Sequence, residues 1–236
     1  HAIPQEAREV VSDMIDSIFR NQFAFLSLTK LKEYDEYTFN HSVNVATLTL
    51  AIARGMGFNQ KQLEEIGIGT LLHDVGKMKV PPRILNKPGQ LSDDEWEEMQ
   101  KHTLYGGQIL RQSGFADSEV AVAEQHHERY NGTGYLKGLK SDSIHLYARI
   151  ASLCDVYDAL TAKRVYKQPM LPHLALAMVY KEKDVNFASD MVMNFIKIVG
   201  IYPIGSLVRL SSGEVGVVIS VHEQALTKNP APAARR

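Results

Sequence analysis

Five histidines, His41, His73, His102, His126 and His127, fall close to apolar residues at helical offsets, and this pattern constrains the fold more than any other feature of the chain. His41 shares a stripe with Val45, Leu48 and Ile52, and His126 shares one with Glu119, Val122 and Ala123, so both faces are expected to point inward. A single inward imidazole is ordinarily a core residue satisfied by a neighbour. Five need partners together. The same segments supply the carboxylates Asp74 and Asp155, and a shared divalent cation is the simplest way to bury such a set.

The segment "LLHDVGK" at 71–77 sharpens this reading. An apolar helix ends in adjacent His73 and Asp74, Gly76 lets the chain turn, and Lys77 follows within reach of the same space. A carboxylate has two oxygens and can bridge two cations, which an imidazole cannot, so Asp74 is the natural bridge of a two-metal site. Lys77 is placed to meet a phosphate bound there. Taken alone, the motif also fits a helix cap in which His73 and Asp74 pair with each other. The stretch "HHERYNGTGY" at 126–135 sets two histidines ahead of a glycine-containing loop that returns a tyrosine, Tyr135.

Around these motifs the texture is helical. Val10, Val11, Met14, Ile15, Ile18 and Phe19 lie at helical spacing in an N-terminal amphipathic segment, residues 1–30, which either joins an upstream regulatory module or covers this domain's own core. That helix is also a candidate homodimer contact. Residues 31–195 alternate helix-length segments with polar breaks, and "LSDDE" predicts a helix start with Ser92 as N-cap and Glu95 as its capping partner. Beyond them, 196–227 holds β-branched residues around "SSGE", a short antiparallel hairpin signal, and 228–236 reads as a disordered tail. The expected fold is mainly α: a helical bundle around a dinuclear metal site with a small C-terminal antiparallel β element.

Charge narrows the function. A net charge of −1 gives no global attraction to a DNA or RNA duplex or to an anionic membrane, so phosphate binding must come from local charges. "VNVATLTLAIA" at 43–53 is too short and too polar to span a bilayer, so no direct membrane insertion is expected. The lone Cys154 excludes an internal disulfide and suits a reducing cytoplasm, where it is read as a small buried hydrophobe.

The motifs "EYTFNHSVNVA" (36–46), "LLHDVGK" (71–77), "KHTLYGGQIL" (101–110), "HHERYNGTGY" (126–135) and "ARIASLCDVYDALTAKRVY" (148–166) resemble, in order and content, the HD superfamily of metal-dependent phosphohydrolases and within it the HD-GYP subfamily. The resemblance implies a helical HD-type bundle, two divalent transition-metal ions and hydrolysis of cyclic di-GMP. It places His41, His73, Asp74 and Asp155 around one metal, and Asp74, His102, His126 and His127 around a second. A mixed imidazole and carboxylate set suits Fe or Mn and also accommodates Zn²⁺. Lys77, Tyr135, Arg164 and Lys167 fall where the family contacts its substrate, Arg164 as a planar fork to phosphate and Lys77 as a point charge. Asp158, Glu128 and Arg129 are expected to orient imidazoles and the loop, whereas His145, His173 and His222 are read as structural or surface residues.

Four positions depart from the family pattern. Leu136 follows Gly134-Tyr135 where the family has proline, Asn131 stands for an aspartate, and "RVYK" at 164–167 replaces Arg-Pro-Tyr-Arg, changes expected to loosen two loops. Some family members hold a third metal through a glutamate one turn before the first histidine. Tyr37 occupies that position here, with Glu36 one residue earlier, so two metals are expected. The resulting reading is a cytoplasmic phosphodiesterase that opens cyclic di-GMP to pGpG or GMP by attack of a metal-bridging hydroxide, with Lys77 and Asp74 in the chemistry. The alternatives are a cyclic-dinucleotide-binding sensor with little turnover and a general HD nucleotide phosphohydrolase.

Overall fold

The computed structural model describes residues 2–28, 37–162, 168–203 and 206–219, with backbone alone for 2–4, 18, 21–28 and 37–39. Arg164, Lys167, His222, Glu36 and the 228–236 tail lie outside the described residues. Helix α1 (Ala2–Leu28) leads into α2 (Tyr37–Gly55) and α3 (Gln60–Leu71). After α3 come the 3-10 turn Val75–Lys79, α4 (Pro82–Leu85), α5 (Asp93–Gln100), α6 (His102–Gln112) and α7 (Asp117–Gln125). The chain then passes through α8 (Leu146–Thr161), α9 (Pro172–Lys181) and α10 (Ser189–Val199) to strands β1 (Leu207–Arg209) and β2 (Val215–Val217). The strands pair antiparallel with Val208 opposite Gly216.

α2 and α8 form the centre of the bundle. Val45, Leu50, Ile52, Ile150, Leu153 and Cys154 on these two helices are fully buried, so neither has a wide solvent face. Cys154 is the small core residue expected. α3 and α7 pack beside them, and Ile66, Ile68, Val120 and Val122 complete one continuous core. α3 begins with a capping box between Asn59 and Gln62, and α5 with the one expected between Ser92 and Glu95. α10 runs through residue 195 and buries Met191, Val192, Phe195 and Val199, so helical periodicity continues past the position where the β element was expected to start.

α1 covers this domain's own core. Val11, Met14 and Ile15 are buried against α2 and α3, while Val10 and Phe19, expected on the same face, are about half exposed. They flank the buried stripe, and Arg54 lies 4.6 Å over the Phe19 ring. Arg8 extends from α1 to Glu119 of α7, 3.3 Å away, where burial pushes that carboxyl's pKa up. No helix among the described residues is long and apolar enough to cross a membrane.

Gly76 has a different role from the one expected. Its φ is not positive, so the turn itself does not need glycine. What needs it is close approach: a Cβ at Gly76 would stand 1.9 Å from the His102 carbonyl oxygen and 2.4 Å from the Gly106 nitrogen. The 3-10 turn after Asp74 is thereby pressed against the start of α6, which brings His102 alongside His73 and Asp74. Gly76→Ala should therefore lower stability by about 3 kcal/mol, since backbone atoms cannot yield to the added methyl. Gly216→Ala, with open space around it, should leave the urea midpoint nearly unchanged. Equal midpoints for the two variants would contradict the close-approach account.

Candidate metal centre

Five segments converge on one buried point. α2 supplies His41, the end of α3 supplies His73 and Asp74, α6 begins at His102, α7 runs out into His126 and His127, and α8 carries Asp155. The side chains sort into two sets, Asp74 with His102, His126 and His127, and His41 with His73 and Asp155, the ligand atoms of each set lying within 4.8 Å of one another. All seven expected ligand positions are thus brought together.

Asp74 stands between the sets with one oxygen toward each. Its Oδ2 is 3.4 Å from His73 Nε2 and 3.9 Å from His41 Nε2, and its Oδ1 is 3.5 Å from His102 Nε2 and 3.8 Å from His126 Nε2. His41 Nε2 also lies 3.1 Å from Asp155 Oδ1. Ligand atoms that share one ion at about 2.1 Å stand roughly 3–3.4 Å apart, so these spacings approach those of a coordination sphere.

The second nitrogen of four rings is engaged on the far side. Nδ1 of His41 meets Asp158 Oδ2 at 2.8 Å, that of His73 the Thr70 carbonyl at 2.7 Å, and that of His102 the Met99 carbonyl at 2.7 Å. His126 Nδ1 faces the Val122 and Ala123 carbonyls at 3.2 and 3.1 Å. A carbonyl can only accept, so Nδ1 of His73, His102 and His126 carries a proton and Nε2 of each faces the centre. Asp158 has the orienting role expected of it.

The electrostatics fit a cation. Burial lowers the pKa of His102 and His126 and brings His127 down to about 3, with neighbouring histidines adding to the effect, so these rings are neutral. Burial works against the charge of Asp74, but His73 and Lys77 outweigh it and hold the carboxyl well below the usual range. Burial also opposes the Asp155 charge, and the His41 hydrogen bond overcomes it. Burial alone would lower His41; bonds and charge from Asp155 and Asp158 instead raise it to about 9, which marks this corner as a place for positive charge. His73 Nε2 and Asp74 Oδ1 are buried without a hydrogen-bond partner. One such atom lies in each of the two sets, and leaving both without a partner is costly unless a cation meets each, which the donor sets fit.

The remaining expected residues border this point. Lys77 Nζ donates to Asp74 Oδ2 at 2.5 Å and is about a third exposed, so it joins the buried carboxylate to solvent. The Tyr135 ring lies 4.8 Å from the His127 ring at 31°, and burial keeps its hydroxyl protonated by raising its pKa. Arg164 and Lys167, the other expected substrate contacts, fall outside the described residues. His145 caps α8 by accepting from the Tyr147 amide, and His173 rests against Tyr202, both apart from the centre.

Glu128 and Arg129 are more specific than the sequence suggested. The buried Glu128 carboxylate accepts from the Lys137 amide at 2.8 Å and from the Leu139 amide at 3.0 Å, anchoring the chain just after Tyr135. Glu128 thus anchors the glycine-containing loop where it has Leu136 in place of proline. Arg129 donates to Ser152 Oγ at 2.7 Å and ties the loop's start to α8. Gly134 lies so close to the Glu128 and Arg129 backbone that a Cβ would stand 2.4 Å away, which shows how tightly the loop folds back.

Comparison with known proteins gives this arrangement a setting. Residues 14–190 match the model of the HD domain family. A cyclic di-GMP phosphodiesterase of Pseudomonas aeruginosa is 42% identical over 93% of this chain and 53% of its own length. One of Thermotoga maritima is 35% identical over 72% of this chain and 47% of its own length. A 3'3'-cGAMP-specific phosphodiesterase of Vibrio cholerae is 38% identical over 65% and 33%. The chain thus spans about half or less of the length of these curated relatives. Among solved structures, an HDG"Y"P protein of Bdellovibrio bacteriovorus superimposes with a TM-score of 0.68 at 23% identity, covering 81% of this chain and 62% of that one, a likeness of fold.

Glu128→Ala should release the loop. Losing two hydrogen bonds to a charged acceptor costs about 2–4 kcal/mol locally, so the Lys137 and Leu139 amides should exchange with solvent at least about tenfold faster. Unchanged protection at both amides would show that something else anchors the loop.

Proposed function

The chain belongs to the HD-domain family, and from that premise we propose that it is a metal-dependent phosphodiesterase that hydrolyses cyclic di-GMP. The observation that carries this reading is the Asp74 carboxylate, one oxygen toward His41 and His73 and the other toward His102 and His126. His41, His73, Asp74 and Asp155 would hold one divalent ion, and Asp74, His102, His126 and His127 would hold the other. Fe or Mn suits the mixed donors, and Zn²⁺ is accommodated by the same set. When bound, the cations supply activated water near neutral pH and Lewis-acid charge for the phosphoryl oxygens.

The chain's own residues do the remaining work. Nδ1 contacts from backbone carbonyls and Asp158 hold the imidazoles in one orientation, so the site needs no reorganisation as charge develops. Lys77, at the exposed edge of Asp74, donates to a phosphoryl oxygen as negative charge builds there. Tyr135 lies over His127 with its hydroxyl protonated and borders the substrate. Arg164 and Lys167 complete the phosphate contacts. The names of the Pseudomonas and Thermotoga relatives support cyclic di-GMP, and that of the Vibrio relative makes the neighbouring cyclic dinucleotide the control substrate.

The direct test is to incubate metal-loaded protein with cyclic di-GMP, 3'3'-cGAMP and GMP, and to chromatograph the products. Linear pGpG or GMP released from cyclic di-GMP supports the proposal, and binding without turnover would reject it in favour of a sensor. Asp74→Ala should abolish hydrolysis and remove most of the metal, as measured by elemental analysis, because one carboxylate serves both ions. Lys77→Ala should keep the metal and lower kcat by roughly two to three decades, the usual cost of one lost transition-state donor. Normal kinetics in that variant would remove Lys77 from the chemistry.

A further inference from the structure

Trp96 is the only tryptophan in the chain, and it does not behave as a core residue. It stands 47% exposed on α5, a helix with no buried residue. Polar contacts hold that helix at both ends. The Ser92–Glu95 capping box and the Lys87–Glu95 ion pair fix its start, and Glu98 accepts from Lys101 and Tyr105 at its end. Trp96 is thus fixed in position without being covered.

Its neighbour gives the exposure a direction. The Trp96 ring meets Tyr135 at 5.9 Å between centroids and 79° between planes. Tyr135 in turn lies against His127, 4.8 Å away, and stands 6.5 Å from His102. A run of aromatic rings therefore leads from the metal centre outward and ends in a right-angled corner between phenol and indole. Such a corner can receive a flat ring against one wall with its edge toward the other. In a nucleotide only a ribose separates phosphate from base, so a phosphate at the metal centre carries its base toward this corner.

We propose that Trp96 is a base platform: a purine of the substrate packs on the indole while its phosphodiester lies at the metal centre. This rests on the proposed function and adds the residue that reads the base. Stacking tolerates any purine, because every base has a π-face. Trp96 therefore selects nucleobase-bearing diesters over base-free ones and does not choose between guanine and adenine.

Because Trp96 is the sole indole, its emission reports on this corner alone. Titration of the full chain with GMP, excited at the red edge of indole absorption, should quench that emission, whereas ribose 5-phosphate, which has the phosphate without the base, should not. In kinetics with cyclic di-GMP, Trp96→Ala should raise KM about tenfold or more, with the loss falling on KM more than on kcat, and Trp96→Phe should recover most of it. Equal responses to GMP and ribose 5-phosphate, no quenching by GMP, or an unaltered KM in Trp96→Ala would each overturn the platform. If the wild-type chain turned over no cyclic dinucleotide, the proposed function would fail, and base-dependent quenching would still decide the role of Trp96.

Discussion

One buried carboxylate sets the terms for the rest of the structure. Asp74 is almost inaccessible and charged, and it faces four imidazole Nε2 atoms within 4 Å. A charge in that position is tolerated only if positive charge meets it, and Lys77 is the one cationic side chain shown bonded to it among the described residues. His41, His73, His102 and His126 each turn one nitrogen to Asp74 and the other to an acceptor behind. The bundle can be understood as the frame that this convergence requires.

The frame is rigid where precision matters. His73, His102 and His126 take their Nδ1 acceptors from carbonyls within one turn of their own chain, so each ring is oriented by its own segment. Gly76 then sets the distance between two of those segments by allowing backbone to touch backbone. Glu128 extends the same order outward, from the histidine pair to the loop that carries Tyr135. Tyr135 leans on His127 at one side and meets Trp96 at the other, so chemistry at the centre and contacts at the rim share one scaffold.

Much of this was legible in the sequence because it rests on periodicity and residue type. His41 and His126 share stripes with residues that the structure buries, and the capping box at Ser92 follows from local spacing alone. The sorting of ligands into two sets around Asp74 required the family resemblance, since no spacing rule joins His41 to Asp155. Other features depend on tertiary contact and left no local sign. Gly76 read as a turn glycine because nothing nearby in sequence reveals that α6 crosses there. The Nδ1 acceptors are mostly backbone carbonyls, which every residue carries. Val10 and Phe19 sit at the margin of the buried stripe of α1, where periodicity alone cannot place the boundary of burial. Trp96 passed unremarked in the sequence because an isolated aromatic on a polar helix has no periodic signal.

The central claim is that one carboxylate joins two metal sites, and anomalous diffraction from crystals grown after anaerobic metal loading tests it most directly. Data collected at the iron and manganese edges should show two peaks, one on each side of Asp74, with Oδ2 toward the His41 and His73 ion and Oδ1 toward the His102, His126 and His127 ion. A single peak, or two peaks that both lie on one oxygen of Asp74, would contradict the account.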